Sequence, residues 1–292
     1  MKCMLCPRRC GVNRRINKGY CGEGEAIRAA RASLHMWEEP CISGKDGSGT
    51  VFFSGCSMKC VYCQNRKIAT GNVAKEISVE RLSGIFIELK TKNANNINLV
   101  TGDHFIPQIV EAIKKAREKG LHIPIVFNTS SYLTSEGLKL LDGYVDIYLA
   151  DFKYWSEEIS KRYSNAPDYR FFAQDAISEM VNQVGEPMYD SRGMLKKGVI
   201  IRHMLLPGYV YDSKKIIRYI SETYGDSVIL SIMNQYTPIN MEAYPEINRP
   251  VTKSEYDEVI DYALSIGVKD ALIQKEGTAA ESFIPVFDYS GI

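Results

Sequence analysis

Three cysteines in the first quarter of the chain have the spacing of a metal-binding loop. Cys56, Cys60 and Cys63 form a C-x3-C-x2-C pattern directly after the β-rich run at residues 50–53. Such a loop can place three thiolates on one iron–sulfur cubane and leave the fourth iron open, whereas electron-transfer clusters normally have four cysteine ligands. An open metal position is typical of catalytic sites. Three buried cysteines or a zinc site are the alternatives, although no fourth zinc ligand lies nearby in the sequence.

A second set of cysteines precedes this loop. Cys3, Cys6, Cys10 and Cys21 are flanked by glycines, which allow tight turns. Four thiolates suit tetrahedral zinc or a second iron–sulfur cluster, and the spacing does not choose between them. Free or oxidised thiols are the alternative. Cys41 is left over and is interpreted as a single buried cysteine.

Composition narrows the class of protein. All eight cysteines lie within the first 63 of 292 residues, which indicates metal or redox chemistry rather than a disulfide-stapled secreted fold. The 36 Lys and Arg residues nearly balance the 35 Asp and Glu residues, which argues against a large nucleic-acid footprint. We read no transmembrane run and no secretory leader, so we expect a cytoplasmic protein with no membrane partner.

From residue 49 onward, short β-rich runs alternate with amphipathic helices. The predicted strands are Gly49–Gly55, Asn96–Thr101, Pro124–Thr129, Val145–Lys153, Gly198–Leu206, Ser227–Tyr236 and Asp270–Gln274. Repeated strand–helix units predict right-handed crossovers and a parallel sheet. We therefore predict an α/β fold, a parallel partial (β/α)6 TIM-like barrel at residues 49–292, with a small Cys-rich appendage at residues 1–48.

Active sites of such folds gather where the strands end. Asp151 and Lys153 alternate along one strand, so both should point to the same side, where a buried acid and base are either a structural ion pair or functional. Arg202 and His203 are neighbours on another strand, so only one of them should face the lumen. For a lone histidine, packing under the helices is the stronger alternative to a role in the site.

The cysteine loop, its place after the first strand and the aromatic residue before its third cysteine resemble the radical S-adenosylmethionine (SAM) superfamily. A closer resemblance covers almost the whole chain and is to homologues of pyruvate formate-lyase activating enzyme. The segments that carry it are residues 5–11, 37–44, 98–101, 148–153, 201–208 and 234–238. The resemblance implies a [4Fe-4S] cluster on Cys56, Cys60 and Cys63, which are then the catalytic residues, and reductive cleavage of SAM to a 5′-deoxyadenosyl radical that abstracts a substrate hydrogen.

The resemblance also implies roles for residues at the strand ends. The expected SAM-binding residues are Tyr62, Thr101, Gly102, Asp103, Asn128, Thr129, Asp151, Arg202 and Gln235. The expected substrate-binding residues are Lys153, His203, Tyr236 and Lys275. Arg202 would contact the SAM carboxylate, as arginine can through two parallel hydrogen bonds. Thr101-Gly102-Asp103 has only one of the two glycines of the usual Gly-Gly-Glu-like segment, so a plain turn is an equal alternative there.

Two activities follow from the resemblance. The favoured one is a lyase that acts on a small nucleotide and releases queuine from queuosine 5′-phosphate. The alternative is an activase that places a glycyl radical on a partner enzyme, in which case the substrate is a protein. An iron–sulfur scaffold or sensor without enzymatic activity is a third, weaker hypothesis. For either activity, a reduced flavodoxin or ferredoxin would be the electron donor.

Overall fold

The structure, a computed structural model, describes residues 2–269, 271–274 and 285–292. The elements of the first half are β1 (Ile27–His35), α1 (Pro40–Ser43), β2 (Ser48–Phe53), α2 (Arg66–Ala69), β3 (Lys75–Ile77), α3 (Val79–Thr91), β4 (Ile97–Val100), α4 (Ile106–Glu118), β5 (Ile125–Thr129) and α5 (Ser135–Lys139). Those of the second half are β6 (Ile147–Asp151), α6 (Glu157–Ser164), α7 (Tyr169–Val184), β7 (Met188–Tyr189), β8 (Leu195–Met204), α8 (Val210–Tyr224), β9 (Ile229–Met233), α9 (Lys253–Ser265) and β10 (Ala271–Ile273). Short 3-10 helices lie at Asp103–Phe105, Gly225–Ser227 and Pro245–Ile247.

The parallel strands form one curved sheet in the order β10-β9-β8-β6-β5-β4-β2. These strands correspond to the seven predicted runs, and the predicted α/β class and parallel partial barrel are confirmed. Strands β1 and β3 extend the β2 edge in antiparallel fashion. The predicted boundary at residue 48 therefore falls at the first residue of β2, which pairs with β1.

Helix ends follow the local signals in the sequence. The Ser78 side chain caps α3 by accepting a hydrogen bond from the Arg81 amide, and Thr252 forms a reciprocal capping box with Glu255 at the start of α9. Gly120 follows α4 with a φ of 86°, a left-handed conformation that glycine adopts without steric cost. These caps fix where each helix returns the chain to the sheet.

Alternation along the strands divides the core into two layers. On β6, Tyr148 and Ala150 pack under the outer helices, whereas Ile147 and Leu149 point into the barrel. The inner apolar layer sits towards the start of the strands and includes Ile42 of α1. Because the same alternation continues, the polar side chain of Asp151 also points into the barrel, at the opposite end from this apolar layer.

Candidate active site

Cys56, Cys60 and Cys63 line one cavity of about 340 Å³ at the carboxyl ends of the parallel strands. Backbone and side-chain donors already point at two of the sulfurs: the Met58 amide donates to Cys56 Sγ at 3.4 Å, and the Ser164 hydroxyl donates to Cys60 Sγ at 3.0 Å. Hydrogen bonds of this kind stabilise a thiolate. The loop therefore has hydrogen-bond donors placed to stabilise negatively charged sulfur.

Without a cation, Cys56 and Cys63 would stay protonated. Burial, together with the neighbouring thiols, raises the pKa of Cys56 to about 11 and that of Cys63 to about 12. Bringing three thiolates together in a buried loop is favourable only when a metal compensates their charge.

The loop is held by the N-terminal segment and by α6. The Cys56 amide donates to the Cys21 carbonyl at 3.2 Å, and the Arg8 guanidinium donates to the carbonyls of Ser57 and Ser164, both at 2.9 Å. Gly55 has a φ of 83°, and a Cβ there would lie 2.8 Å from the Cys21 carbonyl oxygen. This close approach of two backbones requires glycine.

A chain of hydroxyl groups ends on Cys60. Tyr62 and Tyr154 hydroxyls lie 2.6 Å apart, and the Tyr154 hydroxyl lies 2.7 Å from Ser164 Oγ. Because Ser164 donates its only proton to Cys60, Tyr154 donates to Ser164 and Tyr62 donates to Tyr154. The oriented chain directs its dipoles at one sulfur.

Facing the cysteines is a buried network of two cations and two anions. Arg202 donates from Nε to Asp151 at 3.0 Å and from Nη1 to Glu38 at 2.9 Å, and from Nη2 to the Asn128 side-chain oxygen at 2.7 Å. Lys153 donates to the other Asp151 oxygen at 2.6 Å. The prediction that Asp151 and Lys153 share one side is thus confirmed.

The network keeps its members charged. Burial by itself would raise the pKa of Asp151, but Arg202 and Lys153 outweigh it and hold the pKa below its usual range. Burial likewise would lower the pKa of Lys153, yet Asp151 and the nearby Cys60 raise it. A buried ion pair of this kind is stable because each charge has a partner.

Most residues expected from the sequence meet at this cavity. Those that line it are Cys56, Cys60, Tyr62, Cys63, Thr101, Asn128, Thr129, Asp151, Lys153, Arg202 and Gln235. Lys275 lies outside the described residues. Geometry thus gathers side chains from five strand ends and the cysteine loop, as the barrel topology predicts.

Two of the expected substrate-binding residues do not reach the cavity. His203 is buried on the outer face of β8, where its Nδ1 lies 2.8 Å from the Phe152 carbonyl and its Nε2 lies 2.8 Å from Ser213 Oγ. Its assignment to substrate was wrong, because strand alternation turns it away from Arg202. Tyr236 is also buried, with its hydroxyl donating to the Ile247 carbonyl and its ring against Tyr62, so it supports the wall instead of lining it.

Gly102 and Asp103 lie behind the cavity wall. A Cβ on Gly102 would come within 2.6 Å of the terminal methyl of Ile109, so a larger residue would require that side chain to shift. Asp103 is buried and accepts a hydrogen bond from Thr129, and burial raises its pKa to about 6. Neither residue is among those that line the cavity, whereas Thr101 of the same segment is, so their role in SAM binding stays a prediction.

Sequence reasoning assigned no role to Glu38, yet it anchors Arg202 and accepts hydrogen bonds from the side-chain amides of Asn98 and Asn128 at 3.0 and 3.2 Å. Its segment was noted only as part of the family resemblance, and no local pattern places a residue before β2 inside the barrel. Other lining residues outside the predicted set include His35, Trp37, Gln64, Asn65, Ser130, Met204, Met233 and Gln274.

Residues 50–220, more than half of the chain, match the Radical SAM superfamily. The chain belongs to this superfamily. It is 32% identical over 270 residues to an uncharacterized protein of Methanocaldococcus jannaschii, covering 89% of this chain and 74% of that protein. A more distant relative is the pyruvate formate-lyase-activating enzyme of Clostridium pasteurianum, 24% identical over 70% of this chain and 82% of that enzyme.

A solved structure of similar fold supports the architecture. Streptococcus suis SuiB bound to its precursor peptide SuiA aligns with a TM-score of 0.50 over 76% of this chain, at 11% identity. The chain spans about half the length of SuiB, 47% of it. At this identity the likeness concerns the fold alone.

Membership of the radical SAM superfamily implies a [4Fe-4S] cluster and SAM. The cavity fits them: it is lined by three cysteines, and among its described lining residues there is no fourth thiol or other candidate ligand set, which leaves one iron for SAM. Within the described part of the chain, no three His, Cys, Asp or Glu side chains are already gathered around one point as metal ligands.

No helix among the described residues of this radical SAM protein is long and apolar enough to cross a membrane. Cys41 lies half-buried against the inner apolar layer at the far end of the barrel from the cysteine loop. Burial raises its pKa to about 11, as expected for a packed thiol.

Proposed function

We propose that this protein is a radical SAM lyase that releases queuine from queuosine 5′-phosphate. The observation that supports a small polar substrate is the lining of the cavity beside the cysteines, where the amides of Asn128 and Gln235, the indole of Trp37 and the ammonium of Lys153 converge. Amide groups can read the hydrogen-bonding edge of a purine-like base, and an aromatic ring can stack on it. A cavity of about 340 Å³ is within the usual range for small-molecule sites.

When bound, the cluster would supply the electron that cleaves SAM to the radical that abstracts a substrate hydrogen. The chain's own residues would orient the two small molecules. Arg202, which donates to Asp151, Glu38 and Asn128, would meet the SAM carboxylate after exchanging part of this pairing. Lys153, on the same side of the strand end, is the cation that would meet the substrate phosphate after exchanging part of its pairing with Asp151.

The proposal is tested with anaerobically reconstituted enzyme, dithionite, SAM and queuosine 5′-phosphate. We expect free queuine and 5′-deoxyadenosine to appear together in liquid chromatography with mass detection, and both to disappear in Cys60→Ala. Formation of 5′-deoxyadenosine without queuine would refute the substrate and leave the radical SAM chemistry intact.

A glycyl-radical activase is the second candidate, since the Clostridium pasteurianum relative has that name and Asp151-Phe152-Lys153 resembles the corresponding activase segment. The test is electron paramagnetic resonance of a co-purified partner enzyme after incubation with SAM. A glycyl doublet on the partner, together with no queuine release, would favour the activase over the lyase.

The proposal includes a cellular setting. An electron donor of low potential is needed for SAM cleavage, and a cytoplasmic flavodoxin or ferredoxin would fill that role. Replacing dithionite with reduced flavodoxin in the queuine assay should sustain turnover.

A further inference from the structure

The N-terminal cysteines repeat the local geometry of the catalytic loop. Cys6-x3-Cys10 has the same spacing as Cys56-x3-Cys60. In each loop the backbone amide two residues after the first cysteine, Arg8 or Met58, donates to that cysteine's sulfur. In the catalytic loop this hydrogen bond orients a sulfur that would bind the cluster. The Cys6–Cys10 loop has the same hydrogen bond.

The turn in each loop is also the same. The residue just before the second cysteine, Arg9 or Lys59, has a left-handed backbone with a φ of 40° or 49°. Only a few per cent of non-glycine residues adopt this conformation, so its recurrence at the same place in both loops indicates a shared constraint. Turning the chain so that both sulfurs face one point is such a constraint.

The four thiols of the N-terminal set lie near one another, although no three of these described side chains are gathered around one point. A Cβ on Gly19 would be 3.3 Å from Cys10 Sγ and 3.4 Å from Cys21 Sγ, so both sulfurs converge on the face of this glycine. The Cys3 thiol lies near enough to Cys10, and the Cys6 thiol near enough to Cys3 and Cys21, for these groups to influence one another electrostatically. The amides of Val12 and Glu23 point at Cys10 and Cys21, again two residues after the cysteine.

We propose that Cys3, Cys6, Cys10 and Cys21 bind one structural zinc ion. Zn–S bonds of about 2.3 Å place the sulfurs of a tetrahedral site about 3.8 Å apart, and the Cys10 and Cys21 sulfurs, within 3.3 and 3.4 Å of one point on Gly19, can reach one ion. Four protein ligands close the coordination sphere, which is the arrangement of a structural site and not of a catalytic one. Because no three of these described thiols are gathered around one point, they would draw together when the ion binds.

The zinc site would brace the catalytic loop. The Cys21 carbonyl accepts the Cys56 amide at 3.2 Å, which connects a ligand of one site directly to a ligand of the other. Arg8, inside the Cys6–Cys10 turn, donates to the Ser57 carbonyl. Fixing the four cysteines therefore fixes the backbone against which the cluster loop folds.

The test separates the two metal sites. The full chain carrying Cys56→Ala, Cys60→Ala and Cys63→Ala is purified anaerobically with reductant and measured by inductively coupled plasma mass spectrometry. We expect about one zinc and no iron per chain, and tetrahedral thiolate d–d bands when Co²⁺ replaces zinc. A zinc-free chain, a Cys3–Cys10 disulfide, or an iron–sulfur absorption spectrum in this variant would overturn the proposal.

Ligand identity is tested by adding Cys6→Ser or Cys21→Ser to that variant, with Cys41→Ser as the matched cysteine control. We expect zinc to fall below about 0.2 per chain in the first two and to be retained in the control. Because a variant could lose zinc by unfolding, zinc release from the wild-type chain is also titrated with a mercurial reagent, which modifies thiols. Zinc release that accompanies the modification of four thiols supports the assignment. Zinc release without modification of these thiols contradicts it. None of these measurements depends on the substrate proposed above.

Discussion

At the scale of single residues, Ser164 contacts a cysteine of the cluster loop directly without being a ligand itself. Its hydroxyl donates to Cys60 Sγ at 3.0 Å, at the end of the chain from Tyr62 and Tyr154. Hydrogen bonds to cluster sulfurs stabilise the reduced cluster, which has more negative charge, and so raise its reduction potential.

We therefore predict that Ser164→Ala lowers the reduction potential of the cluster by some tens of millivolts, which redox titration followed by electron paramagnetic resonance would measure. Ser160→Ala is the matched control, because Ser160 lies buried on the same helix with its hydroxyl bonded to the Glu157 carbonyl. An equal shift in both variants would show that the effect comes from the helix and not from the hydrogen bond.

His203 gives a second prediction at this scale. Burial lowers its pKa to about 4, and its Nδ1 faces a carbonyl, so the neutral form donates from Nδ1 and accepts from Ser213. A depressed histidine pKa stabilises the fold above the unfolded pKa of about 6.5, and this contribution is lost as the pH falls towards 4. Between pH 7.5 and pH 5, the free energy of unfolding of the wild-type protein should thus fall by about 2 kcal/mol more than that of His203→Gln.

Anaerobic urea titrations at several pH values would measure this difference. His122→Gln is the control, because His122 is exposed, and it should retain the wild-type pH dependence. The Michaelis constant for the substrate should be unchanged in His203→Gln; an increase would return His203 to the substrate site.

At the scale of elements, strands and helices were the predictable part of this molecule. Each parallel strand has a continuous buried run or a β-branched core, and caps such as Ser78 and Thr252 mark the helix starts. Strand β1 (Ile27–His35), which lies between β2 and β3, escaped prediction because it alternates weakly and lies in the Cys-rich segment. Its pairing with β2 depends on distant partners that no local pattern reveals.

The cluster loop is an element whose position depends on Arg8. This side chain donates to Ser57, Ser164 and Asn165 carbonyls and stacks over the rings of Tyr20 and Tyr132. Removing it leaves carbonyls beside the loop without their cationic donor.

We predict that Arg8→Ala accelerates loss of the reconstituted cluster to a chelator several-fold, followed by the decay of its absorbance near 400 nm. Arg15→Ala is the control from the same segment, since Arg15 is three-quarters exposed and paired only at the surface with Glu25. Equal decay rates in the two variants would remove Arg8 from the support of the loop.

At the scale of the whole molecule, the segment before β2 forms the inner end of the barrel. The Asn96 side-chain amide donates to the Ile42 carbonyl at 2.8 Å, and Ser231 on β9 donates to Glu39 at 2.7 Å. This arrangement places Glu38 beneath Arg202. The sequence did not predict it, because Glu38 and Glu39 are read locally as surface residues and only closure of the sheet around them makes them internal.

The stability of the barrel should therefore depend on Ile42 as it does on any other core residue. Ile42 is fully buried among the inner apolar residues, so Ile42→Ala should lower the free energy of unfolding by about 3 kcal/mol. Ile16→Ala is the same change at a position 77% exposed in the same N-terminal segment, and it should cost less than about 0.5 kcal/mol. Both values come from anaerobic urea titration, in which a single shared transition is expected. If Ile42→Ala costs no more than Ile16→Ala, residues 37–44 do not belong to the barrel core and cannot hold Glu38 rigidly against Arg202.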